Sequence, residues 1–152
     1  MLDTIMTIMR KIYVCMVFLF LGFCVTAQTK NNRYNFKEHQ VDNFIKEVYG
    51  DQAQKLIFSN QNLYGSFKKL ILERMEIAKK TEIQGKKVPK ITAEGMLDTY
   101  NSNLKHDATF NINTFNPLKY KLAFFDIQSY RMYEIDNTDY ILIIKPQPKL
   151  QN

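Results

Sequence analysis

His106 and Asp107 stand side by side in a polar stretch of a 152-residue chain. An imidazole changes charge near neutral pH and a carboxylate can orient it, so this pair has the residue types of an acid–base or metal site. The only other histidine, His39, lies far away in sequence, and no third ligand completes the set of a catalytic zinc. Adjacent loop residues seldom aim at one centre, so His106 and Asp107 are catalytic candidates by type and not by spacing. Asp136 and Asp139 flank Asn137-Thr138, which resembles a calcium loop in composition. The twelve-position spacing and central glycine of such a loop are missing, and a β-turn accounts for the four residues. Tyr64-Gly65-Ser66-Phe67 carries one of the two glycines of a nucleophile elbow. Phosphate-cradling glycine loops and His-Glu-x-x-His are absent from the sequence. No cofactor and no metal are therefore expected, and no residue set identifies an enzyme.

A second group of candidates is aromatic. Tyr120, Tyr130, Tyr133 and Tyr140 all fall in the region that reads as sheet. A tyrosine row on a sheet face can bind peptide or sugar, because each ring offers area and a hydroxyl at low entropy cost. Sheets also favour tyrosine for packing between strands.

The elements that must position these residues follow from periodicity. Asn35-Phe36-Lys37-Glu38 has the pattern of a capping box. Val41, Phe44, Ile45, Val48 and Tyr49 then recur at helical spacing up to Gly50, where the helix should stop. Asp51 can cap a short second helix bearing Ala53, Leu56 and Ile57, broken by Ser59-Asn60-Gln61-Asn62. Leu63, Phe67, Leu70 and Ile71 mark a third. A switch from helix to strand is expected near Leu72, because Met75 and Ile77 share a side only by alternation. Residues 83–116 carry Gly85, Pro89 and Gly95 among many Asn, Thr and Lys, and read as a long loop-rich connection.

In the last third, Tyr120, Leu122 and Phe124 alternate with Lys121, Ala123 and Phe125 in a strand pattern. A hairpin follows, from Tyr130 through Ile135, across Asp136-Asn137-Thr138-Asp139, into Tyr140–Ile144. The last run is apolar on both faces, which suits a central strand. The expected fold class is α+β, with two or three N-terminal helices packed on a C-terminal antiparallel sheet of three to four strands.

The first residues carry an address. Arg10-Lys11, an apolar run from Ile12 to Val25, and Val25-Thr26-Ala27 form the pattern of a secretory signal peptide, with cleavage between Ala27 and Gln28. About twenty apolar residues are needed to span a bilayer, so the run is short for an anchor. The expected organisation is a leader over 1–27, a flexible tether over 28–34, one domain over 35–148 and a tail over 149–152. No transmembrane segment is expected once the leader is gone. Both cysteines, Cys15 and Cys24, lie in the leader, so the exported chain is free of disulfides and thiol chemistry. Loss of Arg10, Lys11 and Asp3 lowers the formal charge from +6 to +5.

That positive balance does not imply nucleic acid. Lysine outnumbers arginine seventeen to four and is dispersed in short pairs, whereas base and phosphate readers favour arginine forks.

Thr114-Phe115-Asn116-Pro117-Leu118-Lys119-Tyr120, Tyr130-Arg131, Asp136-Asn137-Thr138-Asp139-Tyr140 and the leader exit Thr26-Ala27-Gln28 together resemble small exported proteins of the Bacteroidota. The resemblance covers the leader and about the last forty residues. It implies a periplasmic or extracellular location and brings no activity and no site residues. The expected function is a binding or structural module whose partner is a protein or another envelope component. The alternative is a small periplasmic hydrolase or hydrolase inhibitor that uses the His106 region.

Overall fold

The computed structural model describes residues 33–83, 85–126 and 128–147. The leader, the Ala27/Gln28 bond and the tail from 149 onward lie outside the described residues.

The architecture is α+β, and its helices cover one face of a four-stranded antiparallel sheet. In chain order the strands are β1 (Tyr34–Asn35), β2 (Met75–Lys79), β3 (Arg131–Glu134) and β4 (Tyr140–Ile144). Their spatial order is β1-β2-β4-β3. The run Tyr140–Ile144 is therefore central, as its two apolar faces require. Leu142 and Ile144 face the helices, while Ile141 and Ile143 join Ala78 beneath Ile83, Val88 and Met132 on the opposite face. Register places Ile77 opposite Leu142, and Tyr133 opposite Leu142 from the other side.

Helix α1 (Glu38–Tyr49) buries Val41, Phe44, Ile45, Val48 and Tyr49 and ends at Gly50, whose positive φ of 53° suits a residue without a Cβ. Its start differs from the expected capping box. Asn35 is held in β1 opposite Glu76, and Phe36 turns into the core, so Lys37 becomes the cap residue. Gln40 supplies the reciprocal bond instead, accepting from the Lys37 backbone N–H at 2.7 Å. Asn60 caps α2 (Gln61–Lys69) by accepting from the Leu63 N–H at 3.1 Å. A wider helical turn over Leu70–Arg74 then hands the chain to β2. The switch from helix to strand thus falls just after Arg74. The short middle helix takes the form of a tight turn over Gly50–Gln52 and a wide turn over Gln54–Phe58.

Two further expectations are corrected. The tether does not extend to residue 34: Tyr34 pairs with β2, and Arg33 donates to Glu76 at 2.5 Å and to Glu82 at 2.9 Å. Glu76 is 3 % exposed, and its second oxygen pairs with Lys145 at 2.6 Å. The other correction concerns residues 120–125, which form no ladder strand. Tyr120, Leu122 and Phe124 are buried while Lys121, Ala123 and Phe125 are exposed, so the alternation is real. The backbone instead closes tight turns upon itself, Leu122 N–H to Tyr120 O and Phe124 N–H to Leu122 O, each 2.8 Å. Period-two burial reports an extended chain lying on a core, and the ladder is a separate matter.

After that stretch, Asp126 organises the approach to β3. It accepts from the backbone N–H of Gln128 at 2.8 Å and from Arg131 Nε at 2.8 Å. These bonds, the Gln128 one foremost, hold its carboxyl down to about 2 from an ordinary value of 3.8. A depressed carboxyl pKa contributes stability above the ordinary value, and the contribution disappears as pH falls through about 2. Carbon-detected NMR titration of the Asp126 carboxyl should give a midpoint of about 2. Arg131→Gln should move it upward; an unchanged midpoint would show that Arg131 contributes nothing.

Candidate functional site

The hairpin turn between β3 and β4 and the segment His106–Phe110 form walls of a cleft of about 640 Å³. Its floor is buried core: Ile91, Phe115, Tyr120 and Ile135. The size falls in the range of roughly 300–1,000 Å³ typical of small-molecule sites.

The turn is built by its own side chains. Thr138 donates from Oγ1 to Ile135 O at 2.7 Å and accepts from the Tyr140 N–H at 3.0 Å. Asn137 occupies the left-handed region at φ 57°, which Asn tolerates better than most residues. Asp136 points away from the turn to Thr92, accepting from its Oγ1 at 2.9 Å and its N–H at 3.3 Å. Lys90 stands 4.0 Å from the same carboxylate. These contacts make the acidic turn a structural one, and among the described residues no cluster of three or more potential metal ligands occurs.

The opposite wall is fixed by a buried cation that sequence reasoning missed. Lys119 pairs with Asp107 and with Glu47 of α1, both at 2.6 Å. Burial alone would lower the Lys119 pKa, but the bonds to Asp107 and Glu47 outweigh it and raise the value. Asn116 lies beside it, fully buried, donating to Phe44 O at 3.0 Å and Glu47 Oε2 at 2.9 Å while its oxygen accepts from the Leu118 N–H at 3.0 Å. Pro117 opens the tight turn that Asn116 caps, and this Asn-Pro pair was the available signal. Nothing local marks Lys119, whose partners lie 12 and 72 positions away.

The sequence candidates divide accordingly. His106, Asp107, Tyr120 and Tyr140 all line the cleft. The Asp107 carboxylate is committed to Lys119, and no hydrogen bond joins it to His106 among the described residues. The His106 ring instead lies 5.7 Å from the buried Tyr120 ring. Tyr120's hydroxyl pKa is raised by burial and then by the nearby Asp107 charge. Tyr140 packs against Phe110 at 5.3 Å and receives the Lys79 ammonium over its ring at 5.5 Å. Tyr130 and Tyr133 stand apart from the cleft. Tyr130 is 59 % exposed, and Tyr133 is buried with its hydroxyl near the Ala123 N–H at 3.3 Å. The four tyrosines thus form no continuous row.

No protein-family model matches this chain, and no curated protein or solved structure is detectably similar to it. Among the described residues no helix is long and apolar enough to cross a membrane.

Proposed function

We propose that the chain is an exported binding module of the cell envelope and that the cleft beside the β3–β4 turn is its ligand site. The observation that carries the reading is the cleft itself: an aromatic and polar lining on a floor of packed core. Convergent rings and a few placed polar groups on a rigid base are what small-ligand sites have in common. Export is supported by Arg10-Lys11, the apolar run that follows and the Val25-Thr26-Ala27 exit. The hydrolase alternative draws no support from the Asp107–Lys119 pair, because the carboxylate that could orient His106 is committed to Lys119.

The test takes the full chain, expressed with its leader in a bacterial host and recovered from the exported fraction. Intact mass should correspond to a start at Gln28. A screen of sugars, amino acids and short peptides, read by amide chemical shifts, should move residues 106–110 and 136–140 together. A recovered protein that still carries the leader overturns the export reading. Unmoved cleft resonances across the whole screen overturn the binding site.

A further inference from the structure

The lining of the cleft also narrows the class of ligand, and this step rests on the binding reading above. Two of its three carboxylates are already matched. Asp107 is paired with Lys119 at 2.6 Å, and Asp136 is bonded to Thr92 at 2.9 Å with Lys90 at 4.0 Å. One anion and one cation remain without an ionic partner among the described residues: Asp139 on the turn and Lys79 at the end of β2. They lie close in the fold, because Lys79 is the register partner of Tyr140 and the Lys80 N–H donates to Asp139 O at 2.8 Å. The two unmatched charges of the cleft therefore sum to zero. An anion that approached Lys79 would meet Asp139, and a cation that approached Asp139 would meet Lys79.

A ligand that both donates and accepts without carrying charge meets no such conflict. Sugar hydroxyls have that double capacity, the donor side answering a carboxylate and the acceptor side an ammonium. The remaining polar lining, Thr109 and Asn137 among it, serves the same kind of partner. Aromatic rings with an electron-rich face suit the C–H face of a pyranose, and the half-buried Phe110 and Tyr140 line the same cleft; a sugar on the Tyr140 ring takes the place of the Lys79 ammonium, which lies over that ring at 5.5 Å, and releases it to the sugar hydroxyls. We infer that the cleft takes a neutral sugar, held by Lys79 and Asp139 on its hydroxyls and by the Phe110–Tyr140 wall on its ring.

Free amino acids and dipeptides are the competing class, since they carry one charge of each sign and could answer Lys79 and Asp139 as ions. The experiment titrates the exported protein with glucose, galactose, mannose, N-acetylglucosamine and their disaccharides. Galacturonic acid, glucosamine, free amino acids and dipeptides are titrated in parallel, with amide shifts as the readout. At least one neutral sugar should shift residues 106–110 and 136–140, and its charged counterparts should bind less tightly. Asp139→Asn, a change on the surface of the turn, should weaken that sugar about tenfold, as loss of a charge-assisted hydrogen bond does. Tyr140→Leu should weaken it similarly, while Tyr140→Phe, which keeps the ring, should retain most of the affinity. If amino acids or dipeptides shift the cleft and neutral sugars do not, the sugar assignment is overturned and the site stands. Sugar-induced shifts confined to other surfaces also overturn it. Silence of the cleft towards every compound removes both readings.

Discussion

Arg74→Met is expected to lower the free energy of unfolding by about 3 kcal/mol. Arg74 sits at the junction of α2 and β2 and is 6 % exposed. Its guanidinium donates to Lys145 O at 2.9 Å, Phe124 O at 2.8 Å and Asp126 O at 3.3 Å. Burial pushes its pKa down, with the charge of Asp126 acting in the opposite sense. Methionine fills the space of the stem but leaves these carbonyls without a donor, at about 1–3 kcal/mol for each group that stays buried. Relief from burying the charge offsets part of that loss, so the effect stays below the sum. Arg74→Lys should recover less than half, because one ammonium cannot reproduce the fork of a guanidinium. Denaturant unfolding measures the change, and amide exchange should quicken first around residues 122–126. A loss under about 1 kcal/mol would mean that water replaces the guanidinium at those carbonyls.

Asn116→Ala should cost a similar amount, about 3 kcal/mol, through a different route. The side chain bonds the Phe44 carbonyl, the Glu47 carboxylate and the Leu118 N–H; alanine leaves the Leu118 N–H unpartnered in the core and takes a second donor from the Phe44 carbonyl, which keeps its helical bond, and a donor from Glu47. The damage should spread in one direction. Glu47 also holds Lys119, and Lys119 holds Asp107, so the segment that walls the cleft loses its anchor on α1. Amide exchange at residues 106–110 should accelerate more than at β2 and β4. Equal acceleration throughout would show that the chain from Asn116 to Asp107 transmits nothing specific to the cleft.

Local pattern carried much of this fold. The apolar spacing from Val41 to Tyr49 marks α1, and the two-faced apolar run Tyr140–Ile144 marks the middle of the sheet. Patterns of period two and 3.6 register burial, and these elements are defined by burial. What the pattern could not carry was the choice of hydrogen-bond partner. Residues 120–125 alternate as a strand does, yet Arg74, fifty positions away, bonds the Phe124 carbonyl where a ladder would. The two residues of β1 are too few to show a period at all. The candidate site was legible in the same partial way. His106, Asp107, Tyr120 and Tyr140 were singled out by residue type and meet at one cleft, whereas Tyr130 and Tyr133 were singled out on the same ground and do not. The difference lies in contacts such as Asn116 with Glu47 and Gln40 with Asn113, which cross 69 and 73 positions and leave no local trace.

The buried Glu76 carboxylate receives Arg33 on one oxygen and Lys145 on the other. Arg33 directly precedes β1 and Lys145 directly follows β4, so a single side chain gathers the chain where it enters the sheet and where it leaves it. Some small domains lock their ends with a sulfur cross-link, and the described residues contain no cysteine with which to make one. Here an ionic clasp occupies that place. Unlike a disulfide it can open and close again without an oxidant, so the ends can fray and reseat while the core stays folded.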